Sequence, residues 1–236
     1  MRIKKLLFII ITSIIVVFSV SCSDMNDKHS VFMQEGEIIY LGRVDSVRVY
    51  GGKNRFLVRY LIPDLRVKLL KIYWNQKADS LLVPIPPHQP SDSLEIIIGN
   101  EERIISEGNH VIQLFCTDGG SIRSIVTERA VNVYGDKYVM TLSNRTINKS
   151  SFNYLNSEVT LEWSPPYSEK EIGIEITYRS MLNGNQVTRI PTREVSTQTK
   201  LSNVDISYPV SYRTMYLPES NVIDTFYSAS QEIMIE

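Results

Sequence analysis

The side chains able to do chemistry in this chain are few and scattered. Its imidazoles are His29, His88 and His110, and none stands at metal-ligand spacing from another His or from a Cys, so no zinc site is expected. No serine lies in a G-x-S-x-G elbow, and His110, at the start of an expected strand, reads as structural. The acid clusters "NEER" (Asn100 to Arg103) and "SEKE" (Ser168 to Glu171) fall in expected turns, where charge is normally solvated. A carboxylate pair for glycoside hydrolysis meets in space rather than along the chain, so spacing leaves that chemistry open. "TDGGSIRS" (Thr117 to Ser124) lacks the alternating oxygen ligands of a calcium loop and reads as a tight hairpin connection. No catalytic residue, metal or cofactor is assigned on this basis. Aromatics remain: strand parity turns Tyr50 away from Val47 and Val49, and Tyr73 away from Leu70, Ile72 and Trp74. A tyrosine held outward on a rigid sheet can stack on a sugar ring, and it can equally pack across strands or against a neighbouring domain.

What must position these residues begins at the N-terminus. Arg2, Lys4 and Lys5 precede an uncharged run from Leu6 to Val20, the layout of a secretory signal segment. These fifteen residues make only about 22 Å of helix, short of the roughly 30 Å hydrocarbon core of a bilayer. Ser19, Val20, Ser21 and Cys22 resemble the lipobox of bacterial lipoproteins, in which the Cys is acylated and becomes the first mature residue. Cys22 is therefore the expected lipid attachment point and membrane lipid the first expected partner; the alternative is an ordinary cleavage near Ser21 that leaves a free thiol. Cys116 is then the only other thiol, and its strand pattern makes it a small buried hydrophobe rather than half of a disulfide. Loss of residues 1–21 takes the formal charge from −1 to −4, because that segment carries three positive charges and no acid. An acidic surface argues against nucleic acid as a partner.

Past a tether at 22–35, alternation dominates. In "EVTLEWS", Val159, Leu161 and Trp163 share a face; "EIGIEITYRS", "RFLVRYLI" and "LLKIYWN" repeat the pattern. No segment of ten residues carries a 3.6-residue period. Turn signals at "YGGKN", "DGGS" and "NGN" separate the strands, and the Pro-rich stretch 84–93 reads as a loop inside the first domain. Strands are expected at 37–42, 45–50, 55–62, 67–76, 79–84, 93–99, 110–117 and 124–134, then at 139–147, 158–163, 172–180, 185–191, 196–201, 209–217 and 224–235. This is an all-β chain of two tandem fibronectin type III-like or immunoglobulin-like sandwiches, expected at 36–137 and 138–236 behind a signal peptide at 1–21.

The segments "GEIIYLGRVDSV" (Gly36 to Val47), "GGKNR" (Gly51 to Arg55), "KIYWN" (Lys71 to Asn75), "EGNH" (Glu107 to His110), "YGDKY" (Tyr134 to Tyr138) and "LSNRTI" (Leu142 to Ile147) occur in order over 33–150. Through them the chain resembles the Bacteroidetes lipoproteins grouped as domain of unknown function family 4998, with His110 where an aromatic is usual. The resemblance implies an exported lipoprotein with sandwich modules, often beside glycan-handling proteins, and no established activity. In such bacteria Asp24 and Asp27, just behind Cys22, resemble the signal for transfer to the outer face of the outer membrane. Ser46, Ser80 and Ser93, each in an Asp-Ser-apolar tripeptide, look like O-glycosylation acceptors of that phylum; the alternative is that Asp-Ser simply favours a turn before a strand. Two functions stay open: a non-catalytic surface module binding a glycan or an envelope protein, and a structural adhesin or spacer.

Overall fold

The computed structural model describes residues 40–189 and 197–235. Cys22, Asp24, Asp27, His29, the signal segment and the tether lie outside the described residues. Leu41–Glu236 form one compact unit.

The first sandwich comprises β1 (Asp45–Gly51), β2 (Phe56–Leu61), β3 (Leu69–Trp74), β4 (Asp79–Pro84), β5 (Leu94–Ile98), β6 (Gly108–Thr117) and β7 (Thr127–Val133). Its sheets are β1-β2-β5 and β4-β3-β6-β7. One turn of helix, α1 (Asp136–Met140), leads to the second sandwich. That sandwich holds β8 (Ile147–Asn153), β9 (Glu158–Trp163), β10 (Glu171–Arg179), β11 (Gln186–Arg189), β12 (Gln198–Leu201), β13 (Val210–Tyr216), β14 (Phe226–Tyr227) and β15 (Gln231–Ile233). Its sheets are β8-β9-β12 and β11-β10-β13, with β14 and β15 pairing in turn along β13. The two sandwiches therefore share one topology. In each, the fourth strand pairs with the third instead of joining the sheet of the first, second and fifth, which gives the fibronectin type III arrangement rather than the constant-type immunoglobulin one.

Alternation builds both cores. Phe56, Val58 and Tyr60 of β2 point inward against Leu70, Ile72 and Trp74 of β3, and Phe56 meets Trp74 edge to face at 6.1 Å. In the second core Trp163 meets Tyr212 at 5.4 Å, and its indole N–H donates to Thr199 Oγ1 at 2.9 Å, so the large ring is buried without an orphaned donor. The Pro-rich stretch joins β4 to β5 within the first sandwich. His88 fastens it, with Nε2 2.9 Å from the Ile62 carbonyl oxygen and Nδ1 3.0 Å from that of Pro86.

Three expected strands differ. Residues 40–42 form none: the Leu41 N–H donates to the Arg123 carbonyl at 3.4 Å and the Gly42 N–H to Asp64 Oδ2 at 2.8 Å, so loops take the bonds a ladder would need. The segment 139–147 begins in α1, which also contains the domain boundary expected between 137 and 138. The carboxylate of Glu107 receives the N–H groups of Lys137 and Tyr138 at 2.9 and 2.8 Å and caps that turn from a distant loop. The last strand is split into β14 and β15, because the Ser228 hydroxyl accepts the Thr214 N–H at 2.8 Å where a strand carbonyl would have stood.

Cys116 lies in β6 with no exposed surface, and burial pushes its thiol up to about 11. In a Cys22→Ser chain, the native protein at pH 8 should stay unmodified by a thiol reagent that modifies the denatured protein completely. Fast stoichiometric reaction of the native form would contradict this packing.

Candidate functional site

At one end of the four-stranded sheet of the first sandwich lies a groove of about 440 Å³. Tyr73 and the turn Asn75–Lys77 form one wall, and Ser106–His110 with Gln113 form the other. The turn is unusual in its backbone. Asn75, Gln76 and Lys77 have φ of 49, 54 and 70°, a left-handed turn without a glycine, closed by the Ala78 N–H donating to the Asn75 carbonyl at 3.0 Å. Such a conformation costs about 1–2 kcal/mol for each L residue, and strain of this kind concentrates at functional sites. A hydrogen bond donated by the Asn75 side-chain Nδ2 to Asp79 Oδ2 at 3.0 Å offsets part of it. Across the groove, the His110 ring is nearly buried, with Nε2 2.7 Å from the Ser106 carbonyl oxygen, which holds the loop rather than offering a base. Glu107, whose two oxygens cap α1, is likewise committed.

Tyr73 is half-buried on the outer face of the sheet. Its ring stacks on Phe115 of β6 at 5.9 Å with an interplanar angle of 29°, and Lys71 Nζ lies 4.9 Å from its centroid. Leu82 and Val111, both about half exposed, lie on the same outer face on β4 and β6. Tyr50 is on the opposite sheet, half-buried, with the Arg59 guanidinium 5.5 Å from its ring, so the two expected stacking tyrosines do not form one site. Ser46, Ser80 and Ser93 are all exposed. The neighbouring acids make local turn bonds: Asp45 Oδ1 accepts the Ser46 N–H at 2.6 Å, and Asp92 Oδ2 the Gln89 N–H at 2.8 Å. Among the described residues, no three His, Cys, Asp or Glu side chains gather as a metal site. Glu171, expected solvated in a turn, is instead fully buried and ion-paired with the equally buried Arg145.

Next to the groove the two sandwiches are locked together. The Ile223 N–H donates to the Gly51 carbonyl at 2.9 Å. Asp224 accepts from the Lys53 N–H at 2.8 Å and from two nitrogens of the Arg55 guanidinium. Glu219 Oε1 accepts from the Tyr134 hydroxyl at 2.6 Å and from Asn132 Nδ2 at 3.1 Å. Tyr134, Tyr138 and Phe226 form a three-ring cluster with centroids 5.1 to 5.6 Å apart. Beyond α1, Asn144 Oδ1 accepts from the Thr214 N–H at 3.0 Å and the Ser228 hydroxyl at 2.6 Å, and the Tyr216 hydroxyl donates to the Ser143 carbonyl at 2.6 Å. The connection is pinned along its length.

A family profile described as a domain of unknown function, DUF4998, matches residues 22–226. The chain belongs to that family. No curated protein matches it. Among solved structures, the FN1-FN3 domains of chicken CNTN1 align over 81% of this chain with 11% identity and a TM-score of 0.41; the alignment spans 64% of that chain. The DUF4998 match is longer than the motif run over 33–150 and takes in most of the second sandwich. Four of the motifs, "GGKNR", "EGNH", "YGDKY" and "LSNRTI", converge on the joint and the cap of α1. The DUF4998 unit is thus a jointed pair of sandwiches.

The joint carboxylates fix its response to acid. Burial raises Asp224, but Arg55 and the Lys53 N–H outweigh it and leave its pKa below the usual carboxylate value. Tyr134 and then Asn132 lower that of Glu219. A carboxylate depressed in the folded state contributes at all pH above its unfolded pKa and loses that contribution as pH falls through the folded one. With one spin label in each sandwich, the distance distribution should stay narrow from pH 8 to pH 5 and broaden only below about pH 4. Asp224→Asn should broaden it at neutral pH while removing about 1 kcal/mol of stability, a modest loss because the Arg55 side chain is 40% exposed.

Proposed function

We propose that this protein is a non-catalytic surface lipoprotein, anchored in the outer membrane through acylated Cys22 and facing the cell exterior, whose first sandwich binds a glycan. The observation that carries the glycan reading is the pairing of a preformed groove with the Tyr73–Phe115 stack at its edge. Sugar rings present apolar C–H faces that stack on such aromatics, and the polar groove walls supply partners for the hydroxyls. The anchoring reading is supported by the sequence at Ser19 to Cys22, with Asp24 and Asp27 as the surface-routing acids. An envelope protein as partner would use the same face. A second reading, a structural spacer or adhesin component, is favoured by the pinned joint, since a rod that transmits position needs a connection that does not bend.

Glycan-array screening of the Cys22→Ser chain tests the first reading. Tyr73→Ala should weaken the captured glycan about tenfold, the loss of one aromatic contact of roughly 1.4 kcal/mol, while the lost stack on Phe115 lowers the melting temperature by only a few degrees. Tyr50→Ala, on the other sheet, should leave binding intact. No retained glycan together with a stoichiometric envelope protein in pull-downs would replace the glycan by a protein partner, and neither would leave the spacer.

A further inference from the structure

We propose that the end of the first sandwich at which the chain enters from its N-terminal segment docks on the bilayer surface, with the phospholipid headgroup interface as its occupant; this rests on the reading of Cys22 as the lipid anchor. Three loops meet there around the entering segment 41–44. The Leu41 N–H is held by the Arg123 carbonyl, the Gly42 N–H by Asp64, and the Thr127 hydroxyl donates to the Val44 carbonyl at 3.4 Å. The β4–β5 loop joins them, because the Ile85 N–H donates to the Lys68 carbonyl at 2.9 Å. The rim of this end is apolar where water would favour polar tips: Leu65 is 61% exposed, Ile125 64% and Val126 46%, with Pro86 and Pro87 also exposed.

Long cationic side chains at this end can reach a phosphate layer. Asp64 is ion-paired with Arg66, while Asp45, Asp92 and Asp118 accept local backbone N–H groups and keep their charge within the loops. Arg43, Lys68 and Arg123 are exposed and form no ion pair with a carboxylate among the described residues. Apolar side chains interleaved with long cationic ones are what an interfacial surface requires, the former entering the acyl boundary and the latter reaching headgroup phosphates. Connectivity favours the bilayer over other occupants. The nineteen steps from Cys22 to Leu41 span at most about 65 Å, so an acylated chain keeps this end close to the membrane, and even a weak contact is populated at such an effective concentration.

The test uses the lipidated chain reconstituted into phosphatidylethanolamine and phosphatidylglycerol vesicles that contain brominated lipid. An environment-sensitive fluorophore is placed in turn at Leu65→Cys, Ile125→Cys and, at the opposite end of the molecule, Leu155→Cys; buried Cys116 and acylated Cys22 do not compete for it. Quenching and a blue shift are expected at 65 and 125 and not at 155. Flotation with vesicles but no quenching at 65 or 125 overturns the docking surface and leaves the anchor standing. Failure of the wild-type chain to float overturns the anchor, and the docking surface falls with it. A Leu65→Glu/Ile125→Glu variant should still float yet lose the quenching of a label at Val126→Cys; retained quenching would also overturn the proposal.

Discussion

Two adjacent residues without a Cβ make the rest of this architecture possible. A Cβ on Gly51 would stand 1.8 Å from the Asn132 carbonyl oxygen, and one on Gly52 would stand 2.3 Å from Asp224 Oδ2 and 2.6 Å from Ile223 Cγ1. The first is a backbone atom that cannot swing aside, and the second could turn away only by giving up the Asp224 bonds to Lys53 and Arg55. The β1–β2 turn can therefore lie against β7 and the β13–β14 connection only because both positions are glycine. Once it does, Lys53 and Arg55 reach Asp224, and the chain leaving β7 is held by reciprocal bonds, Tyr134 N–H to the Gly52 carbonyl at 3.0 Å and Asn54 N–H to the Tyr134 carbonyl at 2.8 Å. Ion pairs that would be worth little on an open surface act here on backbone already brought into contact.

The groove depends on the same constraint. Glu107 forms part of its wall while its carboxylate caps α1, and α1 carries Tyr138 into the three-ring cluster with Tyr134 and Phe226. Neither the wall nor the cap can move alone. The left-handed turn on the other wall is a separate device: it re-aims the chain between β3 and β4 at the edge of the Tyr73–Phe115 stack. A groove built on such supports is preformed, so a molecule entering it would order little of the chain.

Strand content, the inward tryptophans and the outward turn of Tyr73 were all legible in the alternation of apolar residues, because that signal is local and has a period of two. What was not legible is non-local or chemically disguised. "NQK" contains no glycine, so nothing in it announces three positive φ angles. "YVMTL" alternates like a strand, yet its first residues are captured as a helical turn by Glu107, some thirty positions earlier. Glu171 sits in a polar run that reads as solvated, and only the fold reveals Arg145 beside it. That Tyr73 has Phe115 as neighbour and Tyr50 does not follows from which strands pair, and that order is set by tertiary packing rather than by either strand's own residues.

The reach of the family profile bears on what the functional unit is. Had the first sandwich been the module, a match ending near the close of β7 would have sufficed, as the motif run over 33–150 nearly does. Instead the match ends at Phe226, the residue of β14 that completes the aromatic cluster of the joint, just past Glu219 and Asp224. The second sandwich thus supplies the acids and the ring that hold the first sandwich's β1–β2 turn and the α1 connection in place. Separated from it, Arg55, Tyr134 and Tyr138 would face water with their partners gone, and the wall of the groove that leans on α1 would lose its support. The pair of sandwiches is one structural unit because the groove on the first is braced by residues of the second.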